Sequence, residues 1–153
     1  MPGSDQAHDP FDLARFVSAQ EGVYNRALAE IRAGDKRSHW MWFVFPQIDG
    51  LEFSSTARHY AIKSAEEARP YLAHPILGAR LLECAEAVLA VEGRSALDIF
   101  GSPDDMKLKC CMTLFETVAG DGSVFGRELD KYYEGKRDTR TLDILAAMNE
   151  RKG

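Results

Sequence analysis

The sequence has no long hydrophobic run, few cysteines and no excess of basic residues. None of its apolar segments approaches the roughly 20 residues that a membrane-spanning helix requires. We therefore expect no contact with a membrane. Residues 1–9 also lack the basic start and apolar stretch of a secretory signal peptide, and we expect this segment to be a flexible tail.

The charge balance argues against nucleic acid as a partner. The chain has a net charge of −5 and a pI near 5.4. Proteins that bind nucleic acids usually have a basic surface, because neutralising phosphates supplies most of their affinity. The one basic cluster, Arg32, Lys36 and Arg37, lies near a predicted helix end, where the helix dipole favours cations.

The chain has only three cysteines, Cys84, Cys110 and Cys111. Two of them are adjacent, and a disulfide between neighbouring residues is strained. All three lie in apolar helical patterns, where a free cysteine behaves as a small hydrophobic residue and burial makes the thiol inert. This usage predicts reduced thiols and a cytoplasmic location.

The short motifs of common metal and nucleophilic sites are also missing. There is no CxxC, HExxH or GxSxG motif, and the four histidines are not spaced as metal ligands: His8, His39, His59 and His74. The sequence therefore predicts no metal site and no cofactor.

What the sequence does contain is a succession of helix signals. Apolar residues recur at helical spacing between connectors rich in Gly, Pro, Ser and Asp, and no convincing strand alternation occurs. A chain of 153 residues has room for one ordinary domain. We predict an all-α fold, a compact irregular bundle of about eight to nine short helices, in a single domain spanning residues 10–150.

Several helix starts are marked by capping residues. Asp9-Pro10 and Ser102-Pro103 each predict a cap followed by proline at the first helical position. Ser64 predicts another start, with Glu67 at the capping-box position. The clearest amphipathic helix follows His74-Pro75.

The run from His39 to Phe45 is ambiguous. Its aromatic and β-branched residues are compatible with a buried strand. Because no partner strand occurs elsewhere, we predict a short buried helix that ends before Pro46. A second apolar stretch, from Cys110 to Phe115, predicts the central buried helix of the bundle.

Several strings in the chain resemble one family. They are SHWMWFVFPQ at 38–47, YAI at 60–62, YLAHPILG at 71–78, DMKL at 105–108 and MTLF at 112–115. Together they resemble the uncharacterised bacterial family called domain of unknown function 1810, over nearly the whole chain. The resemblance implies a mainly α-helical single domain and supplies no activity, substrate or catalytic residue.

A ligand site is best supported by residues 39–47. Two Trp, two Phe, a His and a Gln in nine residues can form an aromatic wall with a few directed polar groups, as in many small-molecule pockets. The helix predicted to start at Pro103 adds an acid, Asp105, and a cation, Lys107. The candidate ligand-binding residues are His39, Trp40, Trp42, Gln47, Tyr60, Asp105 and Lys107, and the expected ligand is small and polar or anionic.

These residues also have structural interpretations. Large aromatic side chains such as Trp40 dominate ordinary cores, and His39 can cap a helix. The helix dipole favours acids at positions 104 and 105, and Asp105 is placed to form a surface ion pair with Lys109. The functional alternative makes Asp105 a general base or ligand acceptor and Lys107 an anion contact.

Two further helix starts are candidate anion sites. Ser38 and Ser54 begin segments without acids in the first turn, and free N–H groups at a helix N-terminus favour negative charge. The start at Pro103 is followed by two acids, which disfavour an anion there.

Two classes of function remain open. One is a small-ligand site, with or without enzymatic activity, in which a concave surface carries His39 and Gln47. The other is a protein-interaction module without chemistry, for which Tyr24, Tyr132 and Tyr133 are plausible contact residues. The sequence does not decide whether the protein is an enzyme or what its oligomeric state is.

Overall fold

The computed structural model describes residues 9–152, and this part of the chain contains ten α-helices and no extended strand. The helices are α1 Ala14–Gln20, α2 Tyr24–Arg32, α3 Met41–Val44, α4 Ser55–Tyr60, α5 Ala65–Ala73, α6 Leu77–Ala90, α7 Ala96–Phe100, α8 Asp104–Ala119, α9 Val124–Tyr132 and α10 Thr139–Lys152. The all-α prediction is confirmed, with a helix count close to the expected one. The predicted tail lies outside the described residues except for Asp9.

Helix α8 is the centre of the bundle. It packs against α5, α7, α9 and α10, and every residue from Cys110 to Phe115 is buried. A helix that is apolar on all sides is stable only inside a core, so the prediction of a central buried helix is confirmed. No helix within residues 9–152 is both long and apolar enough to cross a membrane.

The ambiguous aromatic run forms the short helix α3. Trp40 and Phe45, on either side of it, are fully buried, and their ring centroids lie 6.2 Å apart. Both rings also meet Phe100 edge-on, at 6.3 and 6.1 Å. The helix prediction is confirmed, and Trp40 and Phe45 belong to the core.

The first helix starts later than the sequence predicts. Helix α1 begins at Ala14 and not at Pro10, because Asp12 has a φ of +53°, which no residue of a right-handed helix adopts. Asp9 still acts at this helix end. Its two carboxylate oxygens accept hydrogen bonds from the N–H groups of Leu13 at 2.7 Å and Ala14 at 3.0 Å.

Two further capping predictions have different outcomes. Ser64 caps α5 as predicted, because its Oγ accepts the N–H of Glu67 at 3.3 Å, but the Glu67 side chain accepts the N–H of Lys63 and not that of Ser64, so no capping box forms. Ser102 does not cap α8: Pro103 occupies the N-cap position, and no side chain there accepts a hydrogen bond. The side chain of Asp104 turns instead to Lys36 of the preceding segment, at 2.8 Å.

A buried ion pair joins α1 to α5. The Nη2 atom of Arg15 lies 2.7 Å from Oε2 of Glu67, and the two side chains are only 8% and 0% exposed. Arg15 also donates to the backbone carbonyl oxygens of residues 11, 12, 59 and 61. The other oxygen of Glu67 accepts the N–H of Lys63 at 2.8 Å. These bonds fix the connection between α4 and α5.

The fixed connection carries the only β-type pairing among the described residues, an isolated parallel bridge between Ile48 and Ile62. The N–H of Ile62 donates to the carbonyl oxygen of Gln47, and the N–H of Asp49 donates to the carbonyl oxygen of Ile62, both at 2.8 Å. Gln47 is thereby held beside α4.

The three cysteines are free and buried. Burial raises the pKa of the Cys84 and Cys110 thiols to about 12 and the pKa of Cys111 well above its usual value. Because only the thiolate is a strong nucleophile, these thiols are inert, as the apolar context of the sequence predicts.

One acid, Glu128, is buried with little compensation from its surroundings. Glu128 of α9 is fully buried, and neither carboxyl oxygen accepts a hydrogen bond from residues 9–152. Burial, reinforced by the nearby charge of Glu86, raises the pKa of the Glu128 carboxyl well above its usual value, although Lys131 opposes the shift. The neutral acid is therefore the favoured buried form.

We expect Glu67→Gln to lower the free energy of unfolding by about 3 kcal/mol or more, because it leaves the buried Arg15 guanidinium without its counter-charge. Urea unfolding followed by circular dichroism measures the change. Asp35→Asn is the control, because the Arg37–Asp35 pair has side chains 79% and 44% exposed and should contribute less than about 1 kcal/mol. Equal effects of the two substitutions would contradict the assigned role of the buried pair.

Glu128 should make stability fall with rising pH. The pKa of the Glu128 carboxyl in the folded state lies above the reference value of 4.5. The contribution of Glu128 to the free energy of unfolding is therefore complete below pH 4.5 and is lost as the pH rises through the folded-state pKa. Glu128→Gln should match the wild type near pH 4 and exceed its stability at alkaline pH, by at most about 1.4 kcal/mol for each pH unit. Urea unfolding at a series of pH values measures this difference, and substitution of the exposed Glu92 by Gln should not reproduce it.

Candidate functional site

The structure brings some of the predicted site residues together and separates others. Trp42, Gln47 and Tyr60 line one small cavity, together with Ile48, Glu52, Ala57 and Ala61. Lys107 of α8 contacts two of these lining residues, Trp42 and Glu52. We call Trp42, Gln47, Glu52, Tyr60 and Lys107 the Trp42 cluster. His39, Trp40 and Asp105 do not line its cavity.

The polar contacts of the Trp42 cluster centre on Glu52. Its Oε2 atom accepts a hydrogen bond of 2.6 Å from Nε2 of Gln47, and its Oε1 atom lies 3.5 Å from Nζ of Lys107. The same ammonium group lies 4.8 Å from the centroid of the Trp42 ring, within the range of a cation–π interaction. The carboxylate of Glu52 is therefore held by an amide, an ammonium group and the adjoining aromatic wall.

A chain of alternating charges continues from Lys107 into the core. Asp104 lies 3.8 Å from Lys107 and 2.8 Å from Lys36. Lys36 in turn donates to the carbonyl oxygen of Ser38 at 2.6 Å and lies 4.9 Å from the Trp40 ring centroid. Its side chain is only 6% exposed. Each charge in this chain has a partner of opposite sign, as burial requires.

The cavity of the Trp42 cluster is almost filled by its own side chains. Its volume is about 10 Å³, which is roughly the space of one water molecule. Glu52 closes it from residues 49–54, a turn and loop outside any helix. In this arrangement no organic ligand fits unless the Glu52 side chain moves.

Sequence reasoning missed Glu52, although it is central to the cluster. It lies in a polar connection without periodicity, and its partner on α8 is 55 positions away in the sequence. Its only local signal is its separation of five residues from Gln47. The sequence also predicts Lys36 only as one of three cations near a helix end, whereas its side chain is buried.

The start of the aromatic run is organised by Glu30, which is also absent from the predicted site. Its Oε1 atom accepts hydrogen bonds from the N–H groups of Arg37 and Ser38 and from Nε1 of Trp40, at 2.8, 3.1 and 2.8 Å. Burial opposes ionisation of Glu30, but these bonds and the hydroxyl of Ser38 outweigh it and lower its pKa to about 2.

The anion site predicted at Ser38 is therefore occupied by the chain's own carboxylate. Trp40 is fully buried, and its indole N–H is already bonded to Glu30, so its placement agrees with the core interpretation. His39 is exposed and lies outside the cavity. At the second predicted anion site, Ser54 caps its own helix by accepting the N–H of Ala57 at 3.1 Å.

The acids at the start of α8 have roles different from those predicted. Asp104, and not Asp105, forms the ion pairs with lysine, and no ion pair joins Asp105 to Lys109 in the described part of the chain. The Oδ1 atom of Asp105 is buried without a hydrogen-bond partner there. The backbone oxygen of Asp105 accepts the Tyr133 hydroxyl at 2.5 Å.

The hydroxyl groups of the tyrosines suggested as partner contacts form hydrogen bonds within the chain. Tyr132 donates its hydroxyl to the carbonyl oxygen of Val88 at 2.5 Å, and Tyr24 donates to Glu83. A separate apolar groove of 540 Å³ lies near the start of α1, and the predicted site residues do not line it. Its walls are Asp9, Pro10, Phe11, Leu13, Ala14, Val17, Ser18, Pro70, His74 and Ile76.

Comparison with known proteins gives a family but no activity. A family model described as protein of unknown function, DUF1810, matches residues 10–145. The crystal structure of the conserved hypothetical protein Rv1873 from Mycobacterium tuberculosis is 55% identical in sequence, with a TM-score of 0.87 over 90% of this chain and 99% of its own. No curated protein matches. The resemblance inferred from the aromatic and helical strings is confirmed, and the chain belongs to the DUF1810 family.

Proposed function

We propose that the protein binds a small ligand bearing a carboxylate group at the Trp42 cluster, where the ligand replaces the side chain of Glu52. The observation that supports this most directly is the environment of Glu52. Its carboxylate lies against the amide of Gln47 and the ammonium group of Lys107, which are donors that recognise an external carboxylate equally well.

The contacts of Lys107 favour exchange of its anionic partner. Its two ion-pair distances, 3.5 Å to Glu52 and 3.8 Å to Asp104, exceed the roughly 2.7–3.2 Å of a good N–H···O hydrogen bond. Its ammonium group makes no hydrogen bond within residues 9–152, although its side chain is only 11% exposed. A ligand that brings an oxygen to hydrogen-bond distance gains a charge-assisted bond that Glu52 does not make.

Displacement of the Glu52 side chain requires little rearrangement of the surrounding structure. Its side chain is 35% exposed, and such partly exposed ion pairs stabilise proteins weakly. The base of its loop is fixed independently, because Asp49 donates to Ile62 and Gly50 lies against Ile144 of α10. The side chain of Glu52 is thus free to leave while the loop stays attached.

The aromatic rings define the rest of the site. Trp42 and Tyr60 are partly exposed on the cavity wall, while the Tyr60 ring is fixed against Phe43 and Phe16 at 5.4 and 6.0 Å. Such a wall favours a ligand with an apolar or aromatic body beside its carboxylate. The proposal is one of binding, and it includes the reduced cytoplasmic compartment that the three free thiols support.

The alternative of a protein-interaction module has one observation in its favour, the apolar groove beside α1. Ile76 at its edge is 41% exposed, and exposed apolar surface of this kind can receive a partner. Within residues 9–152, no lysine or arginine lines this groove, so the ligand proposal has the more specific basis.

We expect Glu52→Ala to bind benzoate more tightly than the wild type, because it removes the tethered competitor. Titration followed by the indole N–H signal of Trp42 in NMR spectra, assigned with Trp42→Phe, measures the affinity at this site. A gain of about tenfold corresponds to loss of one weak intramolecular contact. Glu52→Ala combined with Lys107→Met should lose the gain, because the ammonium group that receives the carboxylate is gone.

Glu150→Ala is the matched control, since Glu150 is exposed at the far end of α10. It should leave the benzoate titration unchanged. If Glu52→Ala keeps the wild-type fold by circular dichroism and still binds no benzoate at Trp42, the proposal is wrong and Glu52 is a structural residue.

A further inference from the structure

Another cavity lies at the C-terminal end of α1, at the turn between α1 and α2. It has a volume of about 370 Å³, within the size range of small-ligand sites. Its lining residues are polar or carry polar groups, with the exception of one glycine: Gln20, Glu21, Gly22, Tyr24, Asn25 and Arg80. None of them belongs to the Trp42 cluster.

Arg80 of α6 is the cation of this cavity, and it has no acidic partner within 4.0 Å among residues 9–152. Its single hydrogen bond there joins Nη1 to Oε1 of Gln20 at 3.2 Å. Arg15 provides the contrast, because its guanidinium group makes five hydrogen bonds, one of which is the buried ion pair with Glu67. Arg80 therefore keeps most of its five donors free, although its side chain is partly buried.

The guanidinium group is nevertheless held in place. Its central carbon lies 4.8 Å from the centroid of the Tyr24 ring, and the Tyr24 hydroxyl is fixed by Glu83. Gln20 is 2% exposed and anchors its amide by donating to the carbonyl oxygen of Phe43 at 2.7 Å. A positioned guanidinium group with free donors is suited to bidentate recognition of a planar anion.

The backbone around the cavity adds to the positive potential. Helix α2 begins here without a side-chain cap and without an acid in its first turn, so its first N–H groups contribute partial positive charge. Glu21 is the opposing charge on the lining. One acid beside one guanidinium group favours a singly charged anion over a phosphate dianion.

We infer that this cavity is a second ligand site, which binds a small monocarboxylate through the guanidinium group of Arg80. The carboxylate lies in the fork of Arg80, supported by the start of α2, with the Tyr24 ring beneath the guanidinium group. The inference does not depend on the Trp42 cluster, since the two sites share no residue.

Acetate and inorganic phosphate are the probes, and amide NMR signals of Gly22 and Asn25 report on this cavity separately from the indole signal of Trp42. Acetate should shift both amide signals in a saturable way in the wild type, with phosphate binding more weakly. Arg80→Gln should weaken acetate binding about tenfold or more, because it removes a charge-assisted bidentate contact. Arg80→Lys should weaken it too, since it keeps the charge and loses the fork.

Arg69→Gln is the control, because Arg69 is an exposed arginine of α5 that does not line the cavity. It should leave the acetate shifts unchanged. If Arg80→Gln disturbs the fold, Arg80→Lys still tests the inference, because it changes the shape of the donor group and keeps its charge. Absence of saturable shifts, shifts that persist in Arg80→Lys with wild-type affinity, or tighter binding of phosphate than of acetate would each overturn the inference.

Discussion

The buried guanidinium group of Arg15 links segments that are far apart in the sequence. It bonds to the carboxylate of Glu67 and to the carbonyl oxygens of His59 and Ala61 at the C-terminal end of α4, so the connection between α4 and α5 has little freedom. Because Ile62 of that connection pairs with the backbone of Gln47 and Asp49, the same constraint positions Gln47 against α4. A charge that is costly to bury thus gives the helical bundle a defined arrangement at the place where the candidate site forms.

The chain's own carboxylates occupy positions that suit external anions. Glu30 takes the backbone N–H groups at Ser38, and Glu52 takes the amide and ammonium donors beside Trp42. The two differ in how firmly they are held. Glu30 receives four hydrogen bonds, which lower its pKa. Glu52 receives one, from Gln47, and its ion pair with Lys107 is long and partly exposed. This difference makes Glu30 part of the scaffold, and it is the basis of the proposal that a ligand replaces Glu52.

The cations divide in a similar way. Arg15 and Lys36 are paired and almost completely buried. Lys107 has carboxylates nearby but no short hydrogen bond to them. Arg80 contacts an aromatic ring and an amide but has no acidic partner in the described part of the chain. The number of donors without a short hydrogen bond therefore rises along this series, and the two binding proposals rest on this difference, because an unsatisfied donor of a partly buried cation can gain a partner on binding.

Local sequence determined the all-α class, the central helix at 110–115 and the inert thiols, because helical periodicity and apolar context act over a few neighbouring residues. It also selected Trp42, Gln47, Tyr60 and Lys107, which do meet around Glu52. Only the tertiary structure decided that Trp40 is core, that Asp104 and not Asp105 pairs with lysine, and that Glu52 closes the cavity. Those outcomes depend on contacts between segments dozens of residues apart, whose distances are set by how the helices pack and not by any local pattern.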